Sequence, residues 1–308
     1  MSTPPPYPGP DPSGQEEPQP GFPGAGNYPN YPGSGPRFPD DPLVPLDFAG
    51  WFRRSIDVAR RSAVTLGILQ LISAVVSVVV SIATAGPATA FLDQATALQA
   101  SAETGAPPDM TTFGAAFGAY AVTMLISWVI SIAVTVFVMG ASLFVAIRDA
   151  DGNPATAADG LRFAAKRAPL FAAWLALAWI LIGIGTVFFF IPGIYLAVVL
   201  LSSLAGVVVV ERNGIGRCFD IIRGRFWATT GRMLVALLLV GVYAFIVYGI
   251  SGALGGGPTS VSTALLHAVL AIPASIVVVG IATVTYAELR FHQDNRVTTG
   301  TLAAEMQR

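Results

Sequence analysis

Six apolar runs set what this chain can become: residues 62–85, 116–147, 170–190, 193–210, 232–251 and 263–287. Each is close to the roughly 20 residues a helix needs to cross about 30 Å of hydrocarbon. The runs are continuous rather than alternating, which favours helices over barrel strands. The second is long, so its ends must be trimmed or protrude. Only Ile191 and Pro192 separate the third from the fourth, so these two must form an antiparallel hairpin. Composition agrees with this reading, because 54% of residues are hydrophobic and 11% are charged, against about 25% charged in a soluble domain. An ordinary soluble globular fold is excluded. With 17 basic residues against 18 acidic ones, so is a soluble nucleic-acid binder, which needs a net basic surface. Cys218 stands alone, which leaves no disulfide framework and no multi-cysteine zinc site. The expected fold is all-α: a polytopic six-helix transmembrane bundle of three helical hairpins, with interfacial amphipathic helices and a disordered Pro-rich tail.

Charge fixes the orientation. Drawn with six spans, all the Lys and Arg residues fall on one side, and the connections at 86–115, 191–192 and 252–262 contain none. The positive-inside rule then predicts cytoplasmic N- and C-termini. An odd number of spans would destroy this segregation. The partition gives −4 to residues 1–45, −3 to the far-side connections and +6 to the rest of the basic side.

Residues 1–45 hold 15 of the 23 prolines and almost no aliphatic side chains. Each proline fixes φ and lacks an N–H, and pushes the residue before it toward extended backbone. Such a segment cannot bury enough surface to offset its ordering entropy. It is read as a disordered, partly polyproline-II tail, ahead of a membrane domain at 46–289 and a cytoplasmic C-terminal tail at 290–308. No cleavable signal peptide is expected, since the first long apolar run follows charged residues.

The chain also reads as three units, each a short basic segment followed by a hairpin. The leads are Trp51 to Arg61, Leu161 to Arg167 and Arg217 to Arg225. In the first, Phe48, Phe52, Ile56, Ala59 and Ala63 fall on one helical face and Arg53, Asp57, Arg60 and Arg61 on the other. That suits a helix lying in the headgroup plane with Trp51 at the interface. Arg53, Arg54, Arg60, Arg61, Lys166, Arg167, Arg223 and Arg225 are the candidate contacts to anionic lipid headgroups. Topological anchoring is the plainer role for them, and lipid sensing the sharper one.

No ionisable group lies mid-span, where transporters and proton relays place theirs. Gln70 is the most polar residue inside a run. Ser73, Ser77 and Ser81 recur every four residues in the first run, and Thr123, Ser127, Ser131 and Thr135 in the second. The i, i+4 spacing puts each set on one helix face. Small hydroxyl residues let helices approach closely and bond across the contact, so packing is the favoured reading. A polar path for substrate is the alternative. Pro273 removes a backbone bond mid-span and is expected to kink its helix. His267 and His292 fall near opposite faces, no Walker, Rossmann or nucleophile-elbow pattern occurs, and no cofactor or metal is expected. Asp149 and Asp151 resemble the start of a calcium loop but lack its later glutamate. Cys218 could have a lowered thiol pKa beside Arg217, although a lone thiol is more often inert.

One stretch is familiar. Pro192-Gly193-Ile194-Tyr195-Leu196 opens a span that ends in Glu211-Arg212-Asn213-Gly214, and Arg217-Cys218-Phe219 leads on to Gly224, Trp227 and Gly231. Over residues 160–250 this resembles the membrane domain attached to some glycerophosphoryl diester phosphodiesterases and its stand-alone bacterial relatives. Family members often have Ser-Trp where this chain has Cys218-Phe219. The resemblance implies a membrane domain without catalysis, because the phosphodiesterase active site belongs to a separate soluble barrel. The Pro-rich tail before such a domain resembles proline- and glycine-rich transmembrane proteins of high-GC bacteria, which implies a bacterial plasma membrane. The functional expectation is a non-enzymatic membrane scaffold whose tail recruits a protein partner. Alternatives are a transporter or channel-like component for apolar or lipid-like cargo, and an accessory membrane subunit of a lipid-metabolism enzyme.

Overall fold

The computed structural model describes residues 41–105, 107–188, 190–255 and 260–308. Residues 1–40, which hold most of the Pro-rich tail, lie outside the described residues. The remainder is all-helical, with no strand among the described residues, and six helices are long and apolar enough to cross a membrane. Helix α1 is Phe48–Arg61, α2 Ala63–Thr104, α3 Met110–Ala150 and α4 Ala157–Phe188. Helix α5 (Phe190–Gly206) continues into a π-helical turn, Val207–Glu211. Helices α6 (Ile215–Ile222), α7 (Phe226–Gly255), α8 (Val261–Gln293) and α9 (Thr299–Met306) complete the chain. The spanning helices pair as the hairpins α2–α3, α4–α5 and α7–α8, and α3 also packs closely on α4 and α2 on α8.

Small residues set the closest contacts. A methyl group on Gly160 would sit 3.0 Å from the Ala141 carbonyl, and one on Gly140 3.2 Å from the Ala164 Cβ. Helices α3 and α4 therefore pack backbone to backbone, as expected where lipid supplies no hydrophobic drive between helices. The α4–α5 reversal uses the same device, because a Cβ on Gly185 would lie 3.0 Å from the Gly193 Cα. Pro192 sits in the first turn of α5, where its missing N–H costs nothing.

The connection expected at 86–115 is instead mostly helix. Helices α2 and α3 run to 42 and 41 residues, about 60 Å each and roughly twice the hydrocarbon thickness. Beyond Pro87 the sequence lacks a long apolar run, yet its many alanines, with Leu92, Gln94, Leu98 and Gln99, favour helix once a partner is alongside. Phe91 stacks on Tyr120 with centroids 5.0 Å apart and reaches Phe113 and Phe117 at 5.9 and 6.0 Å, clamping the projecting pair. Gly105 ends α2 at φ 72°, a left-handed conformation suited to glycine. Asp109 caps α3, accepting from the amides of Thr111 and Thr112. The Thr112 hydroxyl, then the Thr112 amide, holds the Asp109 carboxyl below its usual range.

Both domain boundaries move. Leu43, Val44 and Pro45, read as tail, are buried. The C-terminal segment is no tail either, since Leu302, Ala303 and Met306 of α9 are buried in the common core.

The three lead segments are unlike one another. Only α1 and α6 are separate helices, and Leu161 to Arg167 forms the first turns of α4 itself. In α1 the protein-facing residues are Trp51, Ser55, Val58 and Ala59, whereas Phe48 and Phe52 are exposed. Trp51 is therefore not an interfacial side chain. It is 1% exposed and donates its indole N–H to the Thr285 hydroxyl at 2.9 Å, because α1 lies against α8. A fully buried indole needs such a partner.

Candidate functional site

The basic side is held together by charges at helix ends. The π-helical turn carries Glu211 to the end of α5, where Arg212 turns the chain at φ 57°. Glu211 Oε2 accepts from Arg217 Nε of α6 at 2.6 Å, and Oε1 accepts from Tyr286 at 2.9 Å and pairs with Arg290 at 2.8 Å, both on α8. Arg290 in turn forks onto the Glu305 carboxylate of α9 at 2.9 and 3.2 Å. One carboxylate and one guanidinium thus tie together four elements, in the charge-assisted and bidentate geometries that bond most strongly. Gly206 leaves room for the Tyr286 ring, and Gly214 for the Trp174 ring.

A second cluster lies alongside. Arg232 at the start of α7 pairs with Glu288 near the end of α8. His292 Nε2 is 3.5 Å from the same Glu288 oxygen, and its Nδ1 faces Arg225 at 2.8 Å. An arginine only donates, so Nδ1 accepts and the ring proton sits on Nε2, facing Glu288. His267 is exposed near the other end of α8.

The predicted headgroup residues divide. Arg53, Arg60, Arg61, Lys166 and Arg223 are exposed, and Arg54 is half-buried. Arg225 is engaged by His292. Arg167 is 5% exposed, stacks on Phe163 and donates to the Met306 carbonyl at 3.3 Å. It caps the C-terminal end of α9 rather than facing lipid. Of the motif residues, Gly224 turns the chain between α6 and α7 at φ 81°, and Trp227 is exposed.

The tail meets the bundle at Asp41. Its carboxylate accepts from the Leu43 and Val44 amides at 2.9 Å, and from the Thr299 amide and hydroxyl at 2.8 and 2.7 Å. One side chain thereby folds the end of the tail back and caps the first turn of α9.

The hydroxyl stripes come together on α2 and α3. Ser73, Ser77, Ser81, Ser131 and Thr135 line one groove of about 300 Å³ with Val76, Val80, Ile130 and Val134. Thr123 and Ser127 do not line it. The expected bonds across the contact are absent among the described residues: Thr123, Ser127 and Ser131 donate to carbonyls four residues back on their own helix. A second hollow, of about 280 Å³, shares Ser73 and Thr135 and extends to Gln70 of α2 and Ser275 of α8. Two residues before Ser275 lies Pro273, where the Tyr243 hydroxyl of α7 donates to the Leu270 carbonyl at 2.6 Å.

Cys218 is fully buried, and burial pushes its thiol up to about 11 in spite of the neighbouring Arg217, whose guanidinium is held by Glu211. A maleimide at pH 7.5 is therefore expected to leave Cys218 unmodified in the folded protein and to label it once detergent unfolds the chain, as mass spectrometry would show. The fold holds this proton more tightly than the unfolded chain does. Stability is thus untouched below the ordinary thiol value of about 9 and falls as pH rises from there toward 11.

Among the described residues no three His, Cys, Asp or Glu side chains gather where a metal ion could sit. No protein-family model matches this chain, and no curated protein or solved structure matches it.

Proposed function

We propose that this multi-pass membrane protein is a scaffold that holds the base of its proline-rich tail at a fixed point on the basic, cytoplasmic side of a plasma membrane. The observation that carries the reading is the Asp41 anchor. Asp41 caps α9, and Leu43 and Val44 are buried, so the point at which the tail joins the bundle is fixed. The exposed Arg53, Arg60, Arg61, Lys166 and Arg223 support a contact with anionic headgroups on the same side. A non-enzymatic role is supported by Gly193, Glu211 and Gly224, residues of the stretch that resembles the phosphodiesterase-type membrane domain, because they serve helix junctions.

Cross-linking and affinity capture from membranes tests this. The full chain should retain a defined partner that a chain lacking residues 1–40 loses, at equal membrane abundance. An identical partner set without the tail would refute the scaffold. Asp41→Ala should weaken capture and make the segment before α1 sensitive to protease, while the spanning helices remain protected. For orientation, an impermeant thiol reagent applied from outside should reach a cysteine placed at Asp93 and not one at Gly33. The reverse pattern would invert the assignment.

A further inference from the structure

We infer that the groove between α2, α3 and α8 binds an uncharged acyl lipid whose polar end carries hydroxyl and carbonyl groups, of the diacylglycerol kind. This site is independent of the tail. The two hollows share Ser73 and Thr135 and so form one track, from Ser81 to Gln70 along α2. At about 1.5 Å per residue it extends roughly 16 Å along the helix axis, at the depth of the hydrocarbon. Ser131 and Ser275 donate to carbonyls of their own helices, and the other polar groups of the track are unsatisfied among the described residues. Gln70 is 8% exposed, its side chain lines the inner hollow, and its amide makes no hydrogen bond to any described residue. Likewise the hydroxyls of Ser73, Ser77, Ser81 and Thr135 have no partner among the described residues.

Inside a bilayer such groups have no bulk water to bond, and leaving them bare is costly. A ligand that donates and accepts along this row removes the cost. An amide and hydroxyls do both, so free hydroxyls and ester carbonyls are matched equally. No Lys, Arg, Asp or Glu lines either hollow, so nothing there neutralises a phosphate or an ammonium. Val76, Val80 and Val134 alternate with the hydroxyls and give an acyl chain an apolar wall. Ser77, Ser81, Ser131 and Thr135 remain exposed on the isolated chain, so the groove opens sideways, where a lipid would enter.

The test uses the full-length protein in nanodiscs with a diazirine-bearing analogue of dioleoylglycerol, read by peptide mass spectrometry. Cross-links should map to α2 and α3. Unlabelled dioleoylglycerol should compete, and dioleoylphosphatidylglycerol should not. Gln70→Leu should reduce labelling about tenfold, the loss of one membrane hydrogen bond, while Gln70→Asn retains most of it. Ser77→Ala, on the groove's open edge, is a second variant that leaves the fold intact and should also weaken labelling. Equal competition by the anionic lipid, or labelling unchanged in both Gln70→Leu and Ser77→Ala, would overturn the proposal. So would modification of Ser77→Cys by an impermeant thiol reagent, which would make the groove a water path. A disulfide between two Ser77→Cys copies that abolishes labelling would likewise replace lipid with a second copy of the chain.

Discussion

Glu211→Ala is expected to destabilise the bundle by about 3–5 kcal/mol, the usual cost of removing one partner from a buried ion pair. Glu211 and Arg290 are each 9% exposed, and Arg217 is 23% exposed, so none is screened by water as a surface pair would be. Alanine leaves two guanidinium groups and the Tyr286 hydroxyl without their acceptor. Arg290 keeps Glu305, which limits the loss on that side. Arg217 has no second carboxylate in an ion pair among the described residues, so α6 should loosen first. Two measurements check this. Thermal unfolding in mild detergent should show a lower midpoint, and hydrogen exchange should rise in α6 and α9 before it rises in α3 or α4. Glu211→Gln keeps hydrogen-bond acceptance without the charge and should lose less. The Glu211→Ala, Arg290→Ala double variant should lose less than the sum of the two single variants, because the pair is coupled. Additive losses would show that the network is an accident of helix ends.

The spans were legible because hydrocarbon thickness demands a run length that few other structures need. The segregation of Lys and Arg away from three of the connections is likewise legible in the sequence, since charge at the wrong face is expensive. The projecting parts of α2 and α3 were not legible. Helix there rests on alanine-rich propensity and on Phe91 meeting Tyr120, a contact between residues whose register no periodicity reveals. Beside Arg53 and Arg54, Trp51 reads from the sequence as an interfacial side chain. Only the packing of α1 on α8 turns it inward to Thr285. Glu211, Glu288 and Arg290 flank the apolar runs in the sequence, yet their partners depend on which helices stand next to one another. The serine and threonine stripes were visible from spacing alone, and Gln70 was visible as the most polar residue in a run. That both border one groove with Ser275 of α8 follows from the packing of α8 on α2.

Two glycines in spanning helices are expected to respond to substitution with opposite sign. A Cβ on Gly280 of α8 would overlap the Ser55 carbonyl oxygen of α1, a backbone atom with no rotamer to yield. Ser55 is fully buried, and Trp51 one turn away is fixed to Thr285, so α1 cannot shift without breaking that bond. Gly280→Val is therefore expected to cost at least the roughly 1–3 kcal/mol typical of overpacking. The loss should appear as release of α1, with trypsin cleaving at Arg53, Arg60 and Arg61, which are already exposed on the helix. Gly280→Ala should fall between wild type and valine. Gly249 in the middle of α7 has nothing within 4 Å of where its Cβ would lie. Gly249→Ala removes backbone freedom without a clash and should stabilise by about 0.5–1 kcal/mol. If Gly280→Val leaves α1 protected, or if both glycines respond alike, then the α1–α8 contact is looser than its geometry implies.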